Sequence, residues 1–143
     1  MHKSDKNNSL DEIFDVIVIG GGQSALACGY YLRRAKLKYI ILDKQNTSGG
    51  AWLHTWDSLT LFSPADYSSL PGLIMSNSEN KFPTKQEVIH YLGQYEQYYQ
   101  LNVKRNSEVV EIKKNGDFFQ VHTQESFFKT KRGQQKLWGG LGL

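Results

Sequence analysis

The residues of this chain that could do chemistry are a run of glycines and one acid. Gly20, Gly21 and Gly22 follow the apolar run Val16-Ile17-Val18-Ile19 and lead into Gln23-Ser24-Ala25; Asp43 closes a second apolar run, Tyr39-Ile40-Ile41-Leu42. Strand, glycine turn, helix, strand and acid, in that order, are the layout of a dinucleotide site. The glycines make the tight turn and let the backbone approach a pyrophosphate. The anion then sits at a helix N-terminus, where free N–H groups and the macrodipole favour negative charge. Asp43 stands where a carboxylate accepts hydrogen bonds from a ribose. G-x-G-x-x-A alone is weak, because glycine turns are common, and a plain βα turn without a ligand is the alternative. The strand before, the helix after and the distant acid give it weight. FAD and NAD share the same ADP half, so the fingerprint by itself does not separate them.

The elements that must carry these residues follow from pattern. The continuous apolar run within 14–19 predicts a parallel strand covered on both faces. Ala25, Leu26, Tyr30 and Leu32 give helical periodicity from 23 to about 35, with Arg33 and Arg34 at the end that suits the dipole. A second strand spans 37–42, and the three elements make one βαβ unit. Residues 43–81 form a long segment rich in Gly, Ser, Asn and Pro, with Trp52, Trp56 and Tyr67 as landmarks. Its apolar stretches argue that it wraps a ligand.

Thr84-Lys85-Gln86-Glu87 after Pro83 is a capping box opening a helix to about residue 100. Val88, Tyr91, Leu92, Tyr95 and Tyr99 share one face of it, a stripe better explained by core packing than by a cofactor box. Strands are expected at 108–113 and 118–122 around an Asn115-Gly116 turn, with Phe127-Phe128 beginning a third strand of a meander. Residues 1–12 read as a disordered leader.

The 143 residues suit one domain. Their formal charge of +3 is dispersed, which gives no case for nucleic acid. The basic groups around Arg33 and at Lys129-Thr130-Lys131-Arg132 suit a solvated face. Cys28 is the single cysteine and reads as a packing residue within the first helix. His2, His54, His90 and His122 share no metal-ligand spacing. With no signal-peptide core and no membrane-length apolar window, the expected location is cytoplasmic.

The segments after Asp43 carry a family likeness. Gly49-Gly50-Ala51-Trp52, the stretch from Trp56 to Ala65 and the stretch from Tyr67 to Gly72 resemble FAD- and NAD(P)H-dependent monooxygenase-like oxidoreductases. These are bacterial relatives of flavin-containing monooxygenases, built from two dinucleotide-binding domains. The resemblance runs from about Phe14 to Lys129. It implies an α/β fold: a partial Rossmann-like FAD-binding domain of βαβ unit, long loop, helix and β-meander over residues 13–130. It implies that Gly20, Gly22, Gln23, Ser24 and Ala25 form the pyrophosphate turn and that Asp43 takes the ribose hydroxyls, with Lys44 beside it. Gly50 and Trp52 would pass along the flavin, and the backbone of Val109 would meet the adenine. Trp52 and Trp56 read equally well as residues that anchor the loop to the core.

The likeness stops near Lys129. The family continues with a strand returning to the parallel sheet, an Ala-Thr-Gly turn and a second fingerprint for NADPH. Residues 131–143 read instead as an atypical tail, neither an apolar strand nor that turn, and no NADPH site is placed. The chain is therefore expected to be the FAD-binding N-terminal portion of a flavoprotein oxidoreductase, an incomplete fragment whose parallel strands lack flanking neighbours. A complementing chain or a homo-oligomer would supply what is missing. No side chain is assigned as catalytic, and no metal is expected. A non-catalytic nucleotide-binding or interaction module, or half of a split flavoprotein, is the alternative, and a simple NAD-binding domain is third.

Overall fold

The computed structural model describes residues 12–61, 68–76, 82–131 and 137–139. Two four-stranded sheets carry the fold. Strands are β1 (Ile13–Phe14), β2 (Val16–Ile19), β3 (Tyr39–Leu42), β4 (Val103–Lys104), β5 (Glu111–Asn115), β6 (Phe118–His122), β7 (Phe127–Lys131) and β8 (Leu137–Gly139). Helices are α1 (Gln23–Arg34), a 3-10 turn over Gly50–His54, and α2 (Lys85–Tyr98). One sheet has the order β4-β3-β2-β8 and the other β1-β7-β6-β5.

β2 and β3 pair in parallel, Val16 opposite Tyr39 through Ile19 opposite Leu42, so the glycine turn and Asp43 emerge side by side. Successive side chains of a strand point to opposite faces, and here each face meets a different layer. Val18, Tyr39 and Ile41 pack with Ala25 and Leu26 of α1 and with Val88, Leu92 and Tyr95 of α2. Ile17, Ile40 and Leu42 pack with Phe14 and with Val121 and Phe128 of the meander. Helices, parallel sheet and meander thus form three layers, which is why both central strands read as unbroken apolar runs. Cys28 packs against the helix-side cluster, and burial pushes its thiol up, away from a reactive thiolate.

The expected helix starts and hairpin are present with small shifts. Thr84 caps α2 in a reciprocal capping box: its hydroxyl accepts from the Glu87 N–H at 3.2 Å, and Glu87 accepts from the Thr84 N–H at 3.0 Å. In the hairpin Asn115 still pairs with Phe118, so the two-residue turn is Gly116-Asp117, one residue later than expected. Glycine at the first turn position suits a two-residue loop. The tyrosine stripe is core, as its spacing suggests, and it also holds the long loop. Tyr91 donates to the Leu73 carbonyl at 2.6 Å and accepts from the Leu70 N–H at 2.7 Å. Tyr95 donates to the Pro71 carbonyl at 2.6 Å, and Tyr99 donates to the Gly72 carbonyl. Three hydroxyls one helical turn apart thus grip four successive loop residues.

Four expectations are corrected. The strand over 14–19 is divided at Asp15, whose carboxylate accepts the Lys38 N–H at 2.8 Å. The residues before it leave the parallel sheet to pair with β7. The parallel strands do have neighbours: β4 pairs with β3 and β8 with β2. β4 is two residues long and shows no apolar pattern; β8 is three residues lying where the sequence predicts only an atypical tail. Strand β5 begins at Glu111, so Val109 lies in the connection before it. The leader through residue 11 and the landmark Tyr67 lie outside the described residues. Among the described residues no helix is long and apolar enough to cross a membrane.

Candidate functional site

The turn after β2 is fastened to the end of β3. The Gly20 N–H donates to the Leu42 carbonyl at 2.8 Å. A Cβ on Gly21 would lie 2.4 Å from the Asp43 carboxyl carbon, so only glycine lets that turn rest on the acid. Gly22 is then the N-cap of α1, which has no side-chain cap and no acid in its first turn. Its leading N–H groups therefore keep no intrahelical partner, the arrangement that favours an anion.

Gly50 closes the other side. It has φ 55°, and a Cβ there would come within 2.6 Å of the Gly22 Cα, so the two backbones touch. Space in front of Gly22 itself is open: a Cβ there would meet nothing within 4 Å. Lys85 holds the end of the 3-10 turn to α2 by donating to the Thr55 carbonyl at 2.7 Å.

Asp43 is 2% exposed and fixed on every side. Its N–H donates to the Lys104 carbonyl at 2.9 Å, and its own carbonyl accepts from the Ser107 N–H at 2.8 Å. The carboxylate accepts from the Gln45 N–H at 3.1 Å on Oδ1 and from the Arg105 guanidinium on Oδ2. The other arm of Arg105 donates to Glu96 of α2.

These elements surround one cavity of about 500 Å³, a volume within the range of small-molecule and cofactor sites. Of the residues singled out from sequence, Gly20, Gly22, Gln23 and Ser24 line it from the turn, Asp43 and Lys44 from the end of β3, Gly50 and Trp52 from the 3-10 turn, and Val109 from the far wall. Ala25 is not brought there: it is fully buried among the helix-side core residues, one helical position past the mouth. Trp52 lines the cavity and packs against the helix-side core. Trp56 is 65% exposed and is among neither the lining residues nor the core.

Gly21, His54, Ser107 and Glu108 also line the cavity, though none of them has a cofactor role of its own in the reading from sequence. The glycine lies within the turn already read from sequence. Ser107 and Glu108 adjoin Val109 and carry no local signal of their own. Arg105 and Glu96 were missed because the first acts on a residue 62 positions away and the second on a residue 9 positions away.

The pyridine nucleotide-disulphide oxidoreductase family matches residues 17–132. An uncharacterized oxidoreductase CzcO-like protein of Geobacillus kaustophilus is 37% identical over 86% of this chain and 35% of its own length. The CzcO oxidoreductase of Bacillus subtilis is 37% identical over 83% of this chain and 34% of its own. The chain thus spans about a third of the length of these curated relatives. Among solved structures, a flavin-containing monooxygenase from Stenotrophomonas maltophilia superposes with a TM-score of 0.84 at 43% identity, over 90% of this chain and 38% of that one. A bacillithiol disulfide reductase from Staphylococcus aureus shares the fold, with a TM-score of 0.79 at 22% identity over 90% of this chain and 38% of that one.

Proposed function

The chain belongs to the pyridine nucleotide-disulphide oxidoreductase family, and from that premise we propose that it binds FAD, as the flavin-binding portion of an NAD(P)H-dependent oxidoreductase of the monooxygenase type. One observation carries this: the glycine turn at the start of α1, Asp43 and the Gly50–His54 segment line the same cavity. The residues suit the group. The anion seat at α1 has no competing acid or cap, and open space lies in front of Gly22, where the backbone would meet a pyrophosphate.

In this reading the first N–H groups of α1 bind the pyrophosphate, and Asp43 accepts hydrogen bonds from the adenosine ribose. The backbone of Val109 meets the adenine. Gly50 and Trp52 run along the flavin side, with Trp52 braced by the core so that the segment keeps its position. Lys44, exposed beside Asp43, adds positive charge near the mouth. When bound, the flavin is the group that takes up a hydride and hands electrons on. The side chains of this chain bind and orient it, and none is assigned as acid, base or nucleophile. The NAD(P)H site is not assigned to these residues.

The test is to purify the chain and record its visible spectrum after adding FAD and removing the excess, then to add NADPH in air. Retained flavin absorption supports FAD binding, and bleaching by NADPH would extend the chain's role from holding the cofactor to reducing it. Absence of retained flavin, with the fold intact by circular dichroism, would overturn the proposal.

A further inference from the structure

We propose that Arg105 is the positioning residue of the Asp43 carboxylate, and that Glu96 of α2 is its anchor. This rests on Asp43 being the ribose acceptor of an ADP-containing ligand. Arg105 bridges the two acids, one guanidinium arm on Oδ2 of Asp43 and the other on Glu96. It is not among the residues that line the cavity, so it acts on a ligand only through Asp43. The Gln45 N–H holds the second carboxylate oxygen at 3.1 Å. A carboxylate has about four acceptor positions. With one on each oxygen taken, each oxygen keeps a position for a ribose hydroxyl, and the plane of the group is set.

The planar fork of arginine suits this work, because it fixes two acids at once in one geometry; lysine is a point charge that would serve one of them. The link also couples the ribose end of the cavity to α2, whose Lys85 already holds the 3-10 turn. Two carboxylates face one guanidinium, so the trio keeps a net negative charge. Arg105 is spoken for, and the trio disfavours a ribose 2′-phosphate.

The test is calorimetric titration of the purified chain with three probes: ADP, 2′,3′-dideoxy-ADP and adenosine 2′,5′-bisphosphate. In the unchanged protein ADP should bind at least about tenfold tighter than the dideoxy compound, the size of one charge-assisted hydrogen bond. Arg105→Met should reduce that ratio to about threefold or less while leaving the affinity for 2′,3′-dideoxy-ADP unchanged, which also shows that the variant is folded. Glu96→Gln, with Arg105 still present, should narrow the ratio part of the way, and Arg105→Lys should restore part of it.

An unaltered ratio in both Arg105→Met and Glu96→Gln would overturn the proposal. So would a 2′,5′-bisphosphate that binds the unchanged protein better than ADP and loses that advantage in Arg105→Met, since Arg105 would then be a phosphate ligand. Failure of the unchanged protein to bind ADP or FAD at all would instead sink the cofactor assignment on which this rests.

Discussion

Gly50 and Gly22 meet backbone to backbone: the Cβ that Gly50 lacks would lie 2.6 Å from the Gly22 Cα. The contact joins the 3-10 turn to the start of α1, and both glycines line the cavity. The two glycines nevertheless answer to different constraints, which a pair of substitutions can separate.

Gly50→Ala should damage the fold. It places a side chain in the left-handed region, at φ 55°, at a cost of about 1–2 kcal/mol, and pushes the 3-10 turn off α1. Urea titration should show a loss of at least that size, and FAD retention should fall with it. Wild-type stability in this variant would mean that the two backbones have room to part.

Gly22→Ala should leave stability within about 1 kcal/mol of wild type, because the new methyl meets no protein atom within 4 Å. FAD binding should be lost, since the methyl occupies the space assigned to the pyrophosphate. Full FAD retention by a folded Gly22→Ala protein would show that the ligand does not approach the turn there.

Asp43→Asn keeps the shape of the side chain and removes its charge. FAD affinity should weaken about tenfold, in line with the loss of a charge-assisted hydrogen bond. The protein should also lose stability, because Arg105 would be left with Glu96 as its single acidic partner. Equilibrium dialysis against FAD reads the first effect and thermal unfolding the second.

The tyrosine grip on the loop predicts an alkaline weakness. Burial, reinforced by neighbouring phenols, pushes the Tyr95 hydroxyl above its ordinary value of 10.0, and burial does the same for Tyr91. The folded state therefore holds these protons more tightly than the unfolded chain does. Their contribution is fully present below about pH 10 and is lost as pH rises toward the folded-state values. Tyr95→Phe should cost about 1 kcal/mol at pH 8 by removing the bond to the Pro71 carbonyl, and the gap from wild type should close at pH 11. A gap that stays constant with pH would show that the hydroxyl does not hold the loop.

What the sequence made legible was local. The glycine turn, the Thr84 capping box and the hairpin each lie within a few residues, so their spacing states their geometry. Asp43 was legible as well, because its apolar strand ends where the acid begins. Arg105 was not: it sits among Lys104, Asn106 and Ser107 like any solvated basic residue, and only the pairing of β4 with β3 brings it to Asp43. β4 and β8 escaped notice because two or three residues cannot display a periodicity, and their strand character comes from the neighbour they pair with. Trp52 and Trp56 were indistinguishable by type. They differ in placement: Trp52 lies within the 3-10 turn and packs against the core, whereas Trp56 lies past its end and is exposed.

The division of the N-terminal strand at Asp15 has a bearing on how the molecule comes apart. β1 is stitched into the meander and β2, one residue later, into the parallel sheet, so neither sheet can loosen without pulling on the same short stretch of backbone. That stretch ends at Gly20. Amide exchange at Ile17 and Val18 should accordingly proceed by a single global opening, and a cavity cut beneath the meander at Val121 should quicken exchange at the glycine turn in the layer next to it.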